Sequence, residues 1–146
     1  MKPKIVLFDL DGTLLPMDQE TFTRAYFGGL AARLALRGYQ KDSLIAAIWQ
    51  GSAAMVRNTG EQTNEAVFWD AFAALLGEHV RADEPLFAAY YQEDFDHVQA
   101  ACGFTPAAAA AVAEIKARGY RVALATNPLF PSIATEKRIA WAGLSH

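Results

Sequence analysis

The stretch that decides the fold is Lys4-Ile5-Val6-Leu7-Phe8-Asp9-Leu10-Asp11-Gly12-Thr13-Leu14-Leu15, near the start of a chain of 146 residues. Its apolar, β-branched beginning predicts a buried strand. The strand ends in two carboxylates, Asp9 and Asp11, followed by Gly12 and Thr13. Two neighbouring acids are costly to desolvate and repel each other, and a cation relieves both penalties. Because Mg²⁺ prefers oxygen ligands and ligands bind at the carboxyl ends of parallel strands, the segment predicts a metal-assisted site with a carboxylate nucleophile.

Three simpler interpretations of the acidic pair compete with this one. The segment from Asp9 to Glu20 places oxygen-bearing residues at positions one, three, five and twelve of an EF-hand loop, but position six, which favours glycine, is Leu14. Asp11-Gly12 is also a common hairpin-turn sequence, although a hairpin leaves Asp9 on an apolar strand without a partner. Finally, Asp11 can serve only as a local turn former that bonds its own backbone.

These residues resemble the first signature motif of the haloacid dehalogenase-like (HAD) hydrolase superfamily, in which a hydrophobic strand runs into Asp-x-Asp-Gly-Thr. The resemblance implies that Asp9 is the nucleophile that takes a phosphoryl group and that Asp11 is the general acid and base. It also implies that the Asp9 carboxylate and the backbone carbonyl of Asp11 bind Mg²⁺. The motif with its strand is highly specific, whereas its acidic part alone is not.

Composition limits the classes of protein to which the chain can belong. Its length suits one domain with a real core, and 53% of its residues are hydrophobic, so disorder is not expected. The net charge of −3 and the absence of a basic run argue against a nucleic-acid partner. The single cysteine, Cys102, allows no internal disulfide and suits a reducing compartment. No targeting or membrane segment is recognisable, so the sequence predicts a cytoplasmic protein without a membrane partner.

A second strand is predicted at 120–125, and the residues between the two strands are mostly helical. Apolar residues at helical spacing, with capping residues such as Asp18, Gly38 and Thr105, set the boundaries. The predicted helices cover about 18–37, 41–56, 84–101, 106–118 and 132–141, and a further helix between the second and third of these carries Phe68 and Trp69 and ends at Gly77.

This order of elements predicts an α/β fold with a Rossmann-like, three-layer parallel-sheet core and an α-helical cap. We expect residues 1–15 and 103–146 to form the core and residues 16–102 to form the cap. The arrangement resembles that of HAD proteins whose helical cap lies between the first and second motifs. Strands 4–8 and 120–125 should be parallel neighbours, which brings Asp9 and Thr126 to the same edge of the sheet.

The second strand ends at Thr126-Asn127-Pro128, where a hydroxyl and free backbone N–H groups suit a phosphate. Taken alone, this is a turn sequence, because Asn-Pro favours turns. The stretch Val122-Ala123-Leu124-Ala125-Thr126 nevertheless resembles the second HAD motif, a hydrophobic strand that ends in Ser or Thr. The resemblance implies that the Thr126 hydroxyl and the Asn127 backbone N–H bind the phosphoryl group.

The third and fourth HAD motifs, a lysine and an acidic pair, are not recognisable before His146. The sequence therefore resembles the amino-terminal part of a HAD protein, and we expect the 146-residue form to be poorly active.

The resemblance implies a Mg²⁺-dependent phosphatase that hydrolyses a small phosphomonoester, a phosphorylated metabolite, through an aspartyl-phosphate intermediate. Arg57 and Asn58, in a polar connection between cap helices, are candidate substrate residues, although helix capping explains that segment equally well. Dehalogenases of the superfamily lack an acid at the position of Asp11, so the presence of Asp11 disfavours dehalogenase activity. Two alternatives stay open: a sugar-phosphate mutase of the same superfamily, and a non-catalytic HAD-like binding or regulatory module.

Overall fold

The computed structural model describes residues 4–145, which are mostly helical. Within these residues, the strands and α-helices follow one another as β1 Ile5–Phe8, α1 Gln19–Leu34, α2 Lys41–Val56, α3 Asn64–Leu76, α4 Glu84–Ala89, α5 Pro106–Ala117, β2 Arg121–Leu124 and α6 Ser132–Trp141. The described residues form two compact units, one containing both strands and the other entirely helical. The strand-bearing unit runs up to Ala25 and resumes at Asp96, and the helical unit is Tyr26–Phe95.

The two strands pair in parallel, as the sequence predicts. The prediction that the first strand is buried is wrong: Ile5 is 41% exposed and Leu7 60% exposed, because among residues 4–145 the sheet has only two strands. Ile5 lies opposite Arg121 and Phe8 lies opposite Leu124, so the register is constant along the pair and contains no bulge. The backbone N–H of Ala125 continues the ladder by donating to the Phe8 carbonyl at 2.7 Å. Among residues 4–145 these are the only two strands, so the described part of the Rossmann-like core contains one parallel pair. No antiparallel strand pairs with β1 among residues 4–145, and the next element along the chain is helix α1, which excludes the hairpin interpretation of Asp11-Gly12.

A tight turn follows β1 and fixes the direction in which the chain leaves the sheet. The carbonyl of Leu10 accepts hydrogen bonds from the N–H groups of Thr13 at 3.1 Å and Leu15 at 2.9 Å. Gly12, at φ 79°, supplies the left-handed conformation that the reversal needs. Leu10 and Leu15 are fully buried. The turn is therefore anchored by apolar side chains, while the acids on either side of Leu10 stay at the surface or near it.

Capping chemistry explains where several helices begin and end. The Asp18 carboxylate accepts from the Thr21 N–H at 2.8 Å, which satisfies a free donor in the first turn of α1. Thr63 and Thr105 cap α3 and α5 in the same way. Gly38, at φ 86°, ends the 3₁₀ turn that follows α1.

The predicted helix 84–101 is helical throughout, but it is not a single α-helix. α4 is followed without a gap by a π-helical turn at Tyr90–Asp94 and then by a 3₁₀ segment at Phe95–Ala101. In the helical unit, the Tyr90 hydroxyl donates to the Tyr26 carbonyl at 3.1 Å and the Tyr91 hydroxyl lies 2.7 Å from that of Tyr26. Tyr90 is fully buried, so the wider turn allows two consecutive tyrosines to point into one core.

The strand-bearing unit includes residues on both sides of the helical one. The Gly103 N–H donates to the Pro16 carbonyl at 2.6 Å, and Met17 forms an isolated antiparallel bridge with Cys102. These contacts hold the two chain segments that lead into and out of the helical residues. The division into cap 16–102 and core stays a prediction, and the compact helical unit covers the shorter range Tyr26–Phe95.

Candidate active site

Asp9 is the first residue after β1, at the carboxyl end of that strand. Its carboxylate is exposed and accepts one hydrogen bond, from the Thr13 hydroxyl at 2.8 Å. The tight turn brings Thr13 back to Asp9, which explains why a threonine four residues later can orient the acid. A neutral, single hydrogen bond leaves the other carboxylate oxygen available to a ligand or a substrate.

Asp11 has a different environment, although it is only two residues away. Its side chain is 25% exposed, and its Oδ2 atom accepts from the Nη1 group of Arg138, forming an ion pair. Its Oδ1 atom is buried and has no hydrogen-bond partner among the described residues. The two acids that share one motif are therefore distinguished by their partners, a neutral hydroxyl for Asp9 and a cation for Asp11.

Arg138 is the site residue that the sequence reasoning missed. It lies on α6, 127 positions from Asp11, and its side chain is 1% exposed. Ala134 and Trp141, one helical turn before and after it, are also buried. That spacing was the available signal, because an arginine on the apolar stripe of a helix requires an anion nearby.

Thr126 and Asn127 follow β2 directly beyond Ala125, at the same end of the sheet as Asp9 because the strands are parallel. Within residues 4–145, neither backbone N–H donates a hydrogen bond, and the Thr126 hydroxyl has no partner. The Asn127 carbonyl accepts from the Leu129 N–H at 2.9 Å, so the segment is also the turn that Asn-Pro favours. The turn leaves these donors unpaired, a chemistry that suits an anionic oxygen.

The residues around Asp9 fit a magnesium ion. The exposed Asp9 carboxylate has an unpaired oxygen, and the Asp11 carbonyl accepts no hydrogen bond from any residue that the structure describes. No group of three or more His, Cys, Asp or Glu side chains is placed to hold a metal in the described range. Mg²⁺ commonly uses one or two carboxylates together with water and substrate phosphate, so a small set of protein oxygens is sufficient.

Arg57 and Asn58 follow α2 in the helical unit, and their side chains differ in what they already bind. The Asn58 amide donates to the Gln62 carbonyl at 3.0 Å and to Asn64 Oδ1 at 2.8 Å, and its oxygen accepts from the Gly60 N–H at 3.1 Å. Asn58 therefore organises its own loop. The Arg57 side chain is exposed and has no hydrogen bond or ion pair among the described residues.

Cys102 is a free, half-buried thiol near the acidic pair. Burial raises the pKa of the Cys102 thiol, and the Asp11 charge raises it further. A thiol with a raised pKa is a poor nucleophile, which agrees with a packing role.

Comparisons with known proteins identify one family. A family model for haloacid dehalogenase-like hydrolases matches residues 3–145. No curated protein and no solved structure matches the chain. In the described part of the chain, every helix is too short or too polar to cross a lipid bilayer.

Proposed function

Because the chain belongs to the haloacid dehalogenase-like hydrolases, we propose that it is a Mg²⁺-dependent phosphatase acting on a small phosphomonoester. The observation that carries the proposal is the parallel pairing of β1 with β2. It brings an exposed carboxylate, Asp9, and the unpaired donors of Thr126 and Asn127 to the same end of one sheet. A nucleophile and hydrogen-bond donors at a common edge are what a transferring phosphoryl group requires.

In the first half of the reaction, an Asp9 oxygen attacks phosphorus and the bond from phosphorus to the substrate's alcohol oxygen breaks. Asp11 gives its proton to that oxygen, so the alcohol leaves in neutral form. In the second half, Asp11 takes a proton from water, which attacks the same phosphorus and releases inorganic phosphate and free Asp9. Covalent catalysis by a carboxylate divides one very slow hydrolysis into two faster steps.

Thr126 and Asn127 take the phosphoryl oxygens, the first through its hydroxyl and the second through its backbone N–H. The Asp9 carboxylate and the Asp11 carbonyl would hold Mg²⁺, which would supply positive charge to offset that of the phosphate. Residues 16–102 act as a helical cap that selects the substrate. In that cap Arg57 offers an unpaired guanidinium to the rest of the substrate, and Asn58 shapes the loop that presents it. The lone free thiol, Cys102, suits a cytoplasmic location.

The test compares the full-length product of the gene with its Asp9→Asn variant, using p-nitrophenyl phosphate with and without Mg²⁺. We expect kcat to fall by at least about 10³-fold, because the variant lacks the covalent nucleophile. Asp9 is exposed and asparagine can still accept from Thr13, so the midpoint of thermal unfolding should change by less than about 2 °C. Asp18→Asn, at an exposed acid that caps α1, is the matched control and should keep its activity.

Acid quenching during turnover should leave phosphate covalently attached to the peptide that contains Asp9, in the wild-type protein and not in the variant. Substantial turnover by Asp9→Asn, or labelling of another peptide, contradicts the assignment of the nucleophile. A folded wild-type protein that hydrolyses no phosphomonoester in the presence of Mg²⁺ contradicts the proposed function.

A further inference from the structure

We propose that Arg138 is a positioning residue for the Asp11 carboxyl group, holding it in the orientation from which it exchanges a proton with the substrate's leaving oxygen. The inference rests on the proposed function for its chemistry. Its geometry is independent of that function, because the contact of Arg138 Nη1 with Asp11 Oδ2 is a feature of the folded chain.

Arg138 is itself held firmly. Its Nε donates to the Ala134 carbonyl at 3.1 Å, and its Nη2 donates to the Thr135 hydroxyl at 3.2 Å. The ring of Phe130 lies 4.6 Å from the guanidinium carbon, in cation–π geometry. Three groups besides Asp11 therefore orient the planar guanidinium.

The charge balance at this place makes the pairing obligatory for the arginine. Arg138 is 1% exposed, and the groups that hold it from α6 and Phe130 are all uncharged. Within the described residues, Asp11 is the only carboxylate within ion-pair distance of it. A buried guanidinium without a counter-charge is costly, so the folded state favours one position of the Asp11 side chain.

The Arg138 guanidinium contacts only one of the two carboxylate oxygens of Asp11. Arg138 binds Oδ2, and Oδ1 has no other partner in the described part of the chain. Without the guanidinium, no hydrogen bond from residues 4–145 fixes the rotation of this carboxylate about its Cβ–Cγ bond. Asp9, whose proposed task is attack rather than proton transfer, is oriented instead by the Thr13 hydroxyl. The two acids are thus oriented by different side chains, Asp9 by Thr13 and Asp11 by Arg138.

The test measures the dependence on leaving group in the full-length product of the gene. Arg138→Met should lower kcat for an alkyl phosphate such as glycerol 2-phosphate by about 10²-fold, the lower end of the value of general acid catalysis. For p-nitrophenyl phosphate, whose leaving oxygen needs no proton, the loss should be less than about 10-fold. Asp11→Asn should show the same selectivity, and the double variant should be no slower than Asp11→Asn alone. Arg118→Met, at an exposed arginine of the same unit, is the control and should change neither substrate.

A merely structural role for Arg138 predicts a different result. Loss of folded protein lowers kcat for both phosphates by one factor, and independent effects multiply in the double variant. Either outcome overturns the inference. If Arg138→Met does not accumulate as folded protein, Arg138→Lys takes its place, because it keeps the charge and loses the fixed fork that orients Asp11.

A double-mutant cycle on thermal stability tests the Arg138–Asp11 ion pair without an activity assay. Thermal unfolding midpoints of Asp11→Asn, Arg138→Met and the double variant should be non-additive, with the double variant losing clearly less than the two single losses combined. Additive midpoints contradict the pairing itself. Non-additive midpoints in a protein that hydrolyses no phosphate leave the pairing in place and reject the proposed function, so the two failures are distinguishable.

Discussion

Gly51→Ala and Gly28→Ala should shift stability in opposite directions, although each places one methyl group on a helix. Gly51 lies on α2 and is buried, and a Cβ added there lies 2.5 Å from Cδ2 and 2.6 Å from Cε2 of Phe68. Carbon atoms in favourable contact are about 3.5–4.0 Å apart, so the ring must move by about 1 Å. A Cβ added at Gly28, on α1, has no neighbouring atom within 4 Å.

The expected magnitude follows from what the Phe68 ring contacts. It stacks on Phe72 at 5.5 Å with an interplanar angle of 18°, and it meets Trp69 edge-on at 5.6 Å. Overpacking costs about 1–3 kcal/mol, and disturbing an aromatic pair costs about 0.5–1.5 kcal/mol. The helix propensity of alanine returns at most about 1 kcal/mol. Gly51→Ala should therefore lower the free energy of unfolding by about 0.5–3.5 kcal/mol, whereas Gly28→Ala should raise it by about 0.5–1 kcal/mol.

Urea unfolding followed by tryptophan fluorescence measures both variants, because Trp49 and Trp69 lie in the same helical unit. Phe68→Leu supplies a background in which the obstructing ring is absent. In that background Gly51→Ala should cost less than about 0.5 kcal/mol, since the two sites are in contact and not additive. The reasoning is refuted if Gly51→Ala is as stable as Gly28→Ala, or if its cost is unchanged when Phe68 is replaced.

Three further predictions concern other parts of the chain. Hydrogen bonds from the Arg37 guanidinium hold the pKa of Asp83 below its ordinary value. The Asp83 carboxylate therefore stabilises the fold above about pH 4 and loses this effect at lower pH. In urea titrations, the difference in unfolding free energy between wild type and Asp83→Asn should be constant from neutral pH to about pH 5 and should shrink in more acidic solution. Thr105→Ala removes the side chain that accepts from the first turn of α5 and should cost about 1 kcal/mol in the same assay, while Thr105→Ser should cost clearly less. Arg57→Met should raise KM for any phosphomonoester that the wild-type protein hydrolyses, without changing the unfolding midpoint, whereas Asn58→Ala should lower that midpoint because it removes three hydrogen bonds of the loop.

Local chemistry was sufficient to predict most of the elements. The bounds predicted for α2 and α6 agree with the structure, and the caps at Asp18 and Thr105 are confirmed. Helical periodicity and capping residues both lie within a few residues of the helix ends that they determine. The change to a π-helical turn at Tyr90–Asp94 was missed because the Tyr90 hydroxyl bonds the Tyr26 carbonyl, a contact 64 positions away that no local pattern in the segment indicates.

The candidate site also contains some residues that the sequence predicts and one that it does not. Two acids at the end of an apolar strand are visible in the sequence, and so is the hydroxyl at the end of the second strand. The partner of Asp11 is not visible, because a sequence does not say which of the arginines reaches a residue 127 positions away. Thr13 is the intermediate case, since its spacing from Asp9 permits a hydrogen bond that only the turn at Gly12 makes certain.

The parallel strand pair also constrains the order of events at the ribosome. Each residue of β1 is paired with one synthesised 116 positions later, and no other strand among residues 4–145 pairs with β1, so it waits for this partner while all of Tyr26–Phe95 is being made. At typical elongation rates this interval is roughly 6–23 s, long compared with the formation of individual helices. During it, Ile5 and Leu7 belong to an apolar strand with open edges, the kind of segment that pairs with other chains. A nascent chain that stalls before Leu124 therefore keeps an unpaired apolar strand, and the sheet edge that carries Asp9 and Thr126 is assembled only after β2 has been made.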